Sequence, residues 1–271
     1  MNTKQYLKHI EVIHKEHDIS SITKTPNTLY LTESEDIASQ LLQEGFPIAG
    51  VLTKENENCA FEGISYLFED IDYNDLSLDL FEPTYRRLNH IPWNILETDR
   101  LLIRETTVED VQDFVALYSD PEITEYMEDL FPYHEECEYQ RNYIEKIYSM
   151  YDIGIWTIEE TSTNNVIGRI GIEYTEETGV VDFGFMLGKK YHHQGFATEA
   201  GFAVIDYARQ IEGIQTIRSR VNIHNKSSRI LCKRLGMIEV DLNTAIQRGF
   251  IPSDSLALDE YKETSIYYIQ L

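Results

Sequence analysis

Cysteine is scarce in this chain. Cys59, Cys137 and Cys232 are the only three in 271 residues. An odd number set far apart suits reduced thiols better than a disulfide framework or a zinc site. Long apolar runs are missing too. The first twenty residues, MNTKQYLKHIEVIHKEHDIS, are broken throughout by charges and hold no signal-peptide core, and no later stretch approaches membrane-spanning length. Cations are few. Against 47 Asp and Glu stand 23 Lys and Arg, a formal net charge of −24, which argues against nonspecific nucleic-acid or anionic-membrane binding as the main activity. Internal repeats and low-complexity tracts are absent. The expectation is a cytoplasmic protein with no nucleic-acid and no membrane partner. Its length allows one large or two small domains, each with an adequate core.

What is present is organised around residues 180–210, VVDFGFMLGKKYHHQGFATEAGFAVIDYARQ. Val181, Phe183, Phe185 and Leu187 share one face of an extended chain that Gly188 ends, which predicts a half-buried strand. From Ala197 onward, Ala197, Ala200, Val204 and Ala208, with Phe202 and Ile205, recur at three- and four-residue steps, which is helical spacing. Gly195 therefore falls just before a helix N-terminus. Free backbone N–H groups behind a glycine that permits close approach make a site for phosphate oxygens without any charged side chain. The local pattern alone also describes a plain strand–turn–helix connection. A second block, residues 214–240, predicts a strand with Ile217, Ser219, Val221 and Ile223 alternating, then Asn225 and a helix ending at Gly236.

The first block resembles the acetyl-CoA loop of the GNAT acyltransferases, whose form is Arg or Gln, two residues, Gly, one residue, then Gly or Ala. His192, Gly195 and Ala197 occupy those positions. Histidine in the first is a departure, although the branch related to ribosomal-protein N-terminal acetyltransferases varies there. The second block is similar to the family's second motif through Asn225, Ser228, Leu235, Gly236 and Met237, with Met in place of Phe. The resemblance covers roughly residues 97–271. It implies an α/β (α+β) GNAT fold with a mixed, largely antiparallel central sheet flanked by helices, and an acetyl-CoA-dependent N-acetyltransferase.

The resemblance also implies roles. The backbone of Phe185, Met186 and Leu187 would pair with the pantetheine arm. The 193–198 amides, those of His193, Gln194, Gly195, Phe196, Ala197 and Thr198, would hold the pyrophosphate, with His192 packing the loop. Asn225 would contact the pantetheine amide and Ser228 would do likewise, unless Ser228 caps its helix. Relatives often place an acidic Tyr four residues before the second glycine. Here that position is Cys232, either a proton donor or a small core residue. Asp182 and Glu173 are the candidate bases, Asp182 ahead of Glu173, although water can relay the proton. Tyr126, Tyr133, Tyr139, Tyr143 and Trp156 offer walls for an acceptor, or aromatic core.

Elsewhere the pattern predicts a small α/β domain over residues 1–95, followed by the acetyltransferase domain over 96–271. Residues 1–20 read as a helix, 28–32 and 47–52 as strands around a helix that Ser34 begins and Gly45 ends, and 80–91 as helical at least after Pro83. Residues 90–100 read as a connector. The segment 135–151 reads as one Tyr-rich helix, and three successive strands follow in antiparallel hairpins. Charge divides the second domain. Residues 105–182 carry 20 carboxylates against three cations, a balance of −17, whereas 189–234 carry nine cations against three carboxylates, +6. An acidic acceptor side favours a cationic small-molecule or peptide amine, unless the charge only confers solubility. A noncatalytic acyl-CoA-binding sensor is the competing reading, and a homodimer stays open.

Overall fold

The computed structural model describes residues 5–69, 71–251 and 263–271. The chain divides into two compact units, Met1–Trp93 and Asn94–Leu271.

The first unit is built on four parallel strands, β1 (His9–Ile13), β2 (Thr28–Thr32), β3 (Ile48–Leu52) and β4 (Leu67–Glu69), in that order across the sheet. Helices α1 (Glu35–Gln43) and α2 (Leu78–Leu88) cover it. Every residue of TLYLT is buried, as expected of a parallel strand with both faces covered. Tyr30 packs with Ile37 and Leu41 of α1, whereas Leu29 and Leu31 pack with Phe81 and Tyr85 of α2. One expectation fails here. The segment 1–20 contains a strand, because the β-branched Ile10, Val12 and Ile13 pair in register with Leu29, Leu31 and Thr32 and this outweighs the helical spacing. The helix expected after Pro83 is present as α2 and begins five residues before it. It is pinned by the Glu82 carboxylate, which accepts the Tyr6 and Leu7 amides at 2.9 and 2.7 Å and pairs with Arg86 at 2.8 Å.

The second unit carries an eight-stranded sheet. Its strands are β5 (Asn94–Glu97), β6 (Leu101–Arg104), β7 (Ile155–Glu160), β8 (Asn165–Tyr174), β9 (Val180–Leu187), β10 (Thr216–Asn222), β11 (Ile238–Val240) and β12 (Thr264–Gln270). The order is β11-β12-β10-β9-β8-β7-β6-β5, antiparallel throughout except between β9 and β10. The supposed connector thus supplies an edge strand, because Asn94, Leu96 and Glu97 find partners on β6. Between β6 and β7 run α3 (Val111–Tyr118), the short α4 (Pro121–Thr124), α5 (Tyr133–Tyr143) and the single turn α6 (Ser149–Tyr151). A π-turn, Ile144–Tyr148, interrupts the single helix expected over 135–151. Helix α7 (Phe196–Ala208) links β9 to β10, α8 (Lys226–Arg234) links β10 to β11, and α9 (Leu242–Gln247) follows β11.

Strand alternation sorts the side chains. Ile170 and Gly168 on β8 stand opposite Phe185 and Leu187 on β9, and these share the sheet face that α7 covers. Arg169 and Glu173 stand on the other face and reach Phe114 of α3 and Tyr143 of α5. Among the described residues no helix is long and apolar enough to cross a membrane.

Candidate active site

Strands β9 and β10 pair over three residues only, Val180, Val181 and Asp182 with Thr216, Ile217 and Arg218. Beyond that point they part. At the start of the gap Ser219 Oγ donates to the Phe183 carbonyl at 3.2 Å. At its end His192 Nε2 lies 2.9 Å from the Leu187 carbonyl. Backbone groups two residues apart on a strand point the same way, so the N–H and C=O of Phe185 face the gap between these two filled positions. Met186 turns its backbone to β8 and its side chain to the opposite face, where it is buried beside Arg169. Phe185 therefore turns its N–H and C=O to the gap, the Leu187 carbonyl is taken by His192, and Met186 faces away.

The loop before α7 turns through two left-handed residues, His193 at φ +60° and Gly195 at φ +85°. Gly195 is the helix N-cap, and glycine answers its left-handed backbone conformation. The Thr198 and Glu199 amides bond back to the Gly195 carbonyl at 3.1 and 3.0 Å. The amides of His193, Gln194, Gly195, Phe196 and Ala197 have no acceptor among the described residues. The cradle of unpartnered amides is thus 193–197, one residue shorter than 193–198, because the Thr198 amide is already bonded.

A clamp that the sequence reading missed fixes this turn. Arg100 stacks on the Phe196 ring at 4.3 Å, donates to the Gln194 carbonyl at 3.1 Å, and bonds Glu199 at 2.7 Å. Thr98 Oγ1 also donates to Glu199, at 2.6 Å. Burial opposes ionisation of Glu199, but the bonds from Thr98 and Arg100 outweigh it and hold the carboxyl below its ordinary value. The partners are about a hundred residues apart, beyond the reach of any local motif.

A groove of about 230 Å³ runs along this cradle. Phe185, Leu187, His192, His193 and the 195–198 turn form one wall, and Ser227, Ile230, Leu231 and Arg234 of α8 form the other. Arg234 has no carboxylate partner among the described residues, so it adds unspent positive charge to a groove already lined by free amides. Sequence reading did not single it out, because Arg234 lies in a helix with three other basic residues, of which Arg229 and Lys233 pair with Glu239.

The remaining expected residues separate. Asn225 caps α8 by accepting the Ser228 amide at 3.0 Å; the cap is Asn225, and Ser228 lies inside the helix. Cys232 is fully buried in the main core, and burial pushes its thiol up to about 11, so it is a core residue and not a proton donor facing the groove. Asp182 is held by Arg218 at 2.6 and 2.8 Å and by Arg220 at 3.1 Å. Both of its oxygens are thus already taken by guanidinium groups, which overturns its rank above Glu173. Among the described residues Glu173 accepts one side-chain bond, from the Tyr143 hydroxyl at 2.7 Å. Trp156 is fully buried edge-on to Tyr207 of α7 and walls no acceptor. Tyr126 bonds its neighbour Glu125. Tyr139 and Tyr133 are 46% and 55% exposed.

Parted parallel strands beside an amide-lined helix start define a protein that binds a phosphate-bearing, strand-like ligand such as CoA. The residues fit it: a five-amide cradle and Arg234 for phosphate, Phe185 for the amide arm, Ile230 and Leu231 for apolar contact. The sequence profile of the acetyltransferase (GNAT) domain matches residues 100–238, and the chain belongs to that family. The uncharacterized N-acetyltransferase YoaA of Bacillus subtilis (strain 168) is 30% identical over 148 residues, 52% of this chain and 81% of YoaA. The fold is shared with an acetyltransferase from Agrobacterium tumefaciens str. C58, at TM-score 0.52, 21% identity and 65% and 94% coverage of the two chains. It is shared too with RimL, a ribosomal L7/L12 alpha-N-protein acetyltransferase, at TM-score 0.54, 13% identity and 68% and 97% coverage. The protein is a GNAT-type N-acetyltransferase that uses acetyl-CoA.

Proposed function

We propose that the acceptor is a positively charged amine, such as a polyamine, an aminoglycoside or a basic peptide N-terminus, and that Glu173 is the carboxylate toward which the amine loses its proton. One observation carries this reading. On the sheet face opposite α7, Glu173 offers an oxygen, Oε2, with no partner among the described residues, beside a half-exposed aromatic surface. Phe131, Tyr139 and Tyr143 stand in series at ring distances of 5.7 and 6.1 Å. Burial, then the Glu173 carboxylate, push the Tyr139 phenol above its ordinary value, so the two groups share one electrostatic environment. Aromatic faces and carboxylates both attract an ammonium group.

Gly184 leaves β9 without a side chain at its position on that face, where an added Cβ would make an ordinary 3.6 Å contact with Ile155 Cδ1, and Glu173 lies two residues along β8 from Gly171, the partner of Gly184. Acetyl-CoA supplies an activated acyl group whose C–S bond breaks as the C–N bond forms. The amine attacks only when neutral. Of the two protons that an ammonium gives up, one passes to Glu173 and on to solvent, and the other reaches the leaving thiolate.

Each exposed charge contact contributes about 0.2–1 kcal/mol, so several together select by charge, and the selection must weaken with salt. A screen of amines by thiol release at low and high ionic strength tests this. A specificity constant that rises with amine charge and falls with salt is expected. A preference for neutral or anionic amines contradicts it.

A further inference from the structure

We propose that Tyr143 is a positioning residue for acetyl transfer: its hydroxyl occupies one oxygen of Glu173 and so turns the other toward the acceptor amine. The inference rests on the reading of Glu173 above.

Tyr143 is 8% exposed, and its hydroxyl has two partners. The Ile155 amide donates to it at 2.8 Å, and it lies 2.7 Å from Glu173 Oε1. A phenol carries one proton. Because the Ile155 N–H already points at the oxygen, the phenol's own proton must go to Glu173. That fixes both the direction of the bond and the carboxylate oxygen it holds.

The local chain is shaped around this hydroxyl. The π-turn Ile144–Tyr148 separates Tyr143 from Tyr148, and the two rings meet edge to face at 5.4 Å. Tyr148 donates to the Ile155 carbonyl at 2.6 Å while Tyr143 takes the Ile155 amide, so one residue of β7 is gripped at both ends. π-turns within helices recur at functional sites. Residue 154 is glycine, and a Cβ there would lie 2.8 Å from the Tyr143 hydroxyl and 2.9 Å from the Tyr148 ring. A side chain at 154 would displace the group that holds Glu173.

A purely structural role for Tyr143, as the clamp on Ile155, makes a different forecast, and a double-mutant cycle separates the two. Thiol release from acetyl-CoA is followed with spermidine, a lysine-ended peptide and propylamine as acceptors. The full-length chain is compared with Tyr143→Phe, Glu173→Gln and the double variant, with CoA affinity measured on each. Glu173→Gln should lower kcat about 100-fold, the low end for a general base. Tyr143→Phe should lower kcat about tenfold at unchanged KM for acetyl-CoA, and by less than twofold when Glu173 is already Gln. Gly154→Ala, which keeps both residues and shifts the hydroxyl, should reproduce the tenfold loss if Tyr143→Phe does not fold. An equal loss from Tyr143→Phe in both backgrounds, or none in either, overturns the positioning role and leaves Glu173 in place. Full activity of Glu173→Gln, or no thiol release by the unaltered chain with any of the three amines, overturns the reading of Glu173 and this inference with it.

Discussion

Asp182 on β9 and Arg218 on β10 meet in a two-point ion pair, 2.6 and 2.8 Å, at the last residue pair that the two strands share. Past this pair the strands part and the ligand gap begins. Arg218 is 3% exposed, and its guanidinium also reaches Glu177 at 3.4 Å and the Phe250 carbonyl. The pair therefore closes the root of the gap; it holds the strands where they still run side by side.

That placement makes Asp182 structural. Removing Asp182 leaves the buried Arg218 with the more distant Glu177 as a carboxylate partner, at a cost of up to about 3 kcal/mol. Asp182→Asn should lower the denaturant midpoint accordingly, while kcat measured on the folded variant changes less than threefold. A loss of kcat comparable to that of a missing base, without loss of stability, would return Asp182 to the chemistry.

Cys232 gives a pH signature. Burial raises its thiol from the ordinary 9.0 to about 11. Between these values the unfolded chain loses the proton that the folded chain keeps, so the folded state is favoured fully below pH 9 and less as pH rises toward 11. Thermal unfolding followed from pH 8 to 11 should show this decline, and Cys232→Ala should lack that part of it. The same variant should retain acetyl transfer, because the thiol lies in the core among Leu231, Leu235 and Met237. An inactive Cys232→Ala that folds and binds CoA would contradict this.

Arg100 tests whether the α7 turn must be held from outside. Its contacts to Phe196, Gln194 and Glu199 involve no ligand, so Arg100→Ala should act only by loosening the cradle. A five- to tenfold weaker CoA affinity is expected, about 1–1.4 kcal/mol, with the fold intact by circular dichroism. Unchanged affinity would show the turn to be held by its own backbone.

Much of this was legible in the sequence, for reasons that differ by residue. Strand β9, the Gly195 turn and α7 are local: alternation, a glycine and helical spacing lie within thirty residues, and each is read without knowing its neighbours. The gap itself was not legible, because the parting of β9 from β10 follows from where pairing stops. Asp182 ranked above Glu173 for the same reason. Its partners Arg218 and Arg220 lie on another strand, and spacing along one strand does not show that a carboxylate is already taken. Residues 1–20 failed on a five-residue strand whose apolar positions also fit a helix. The connector at 90–100 failed because a proline two residues ahead of β5 looked like the end of order.

The claim that governs the rest is that the five free amides at 193–197, beside the parted strands, hold the phosphates of acetyl-CoA. Titration calorimetry of acetyl-CoA into the full-length chain and into Gly195→Trp measures it most directly. Saturable binding to the unaltered chain is expected, with none to folded Gly195→Trp, whose side chain would be strained by the left-handed backbone there and would fill the cradle. Equal affinity in the two proteins, or no binding to the unaltered chain at millimolar acetyl-CoA, would contradict the account.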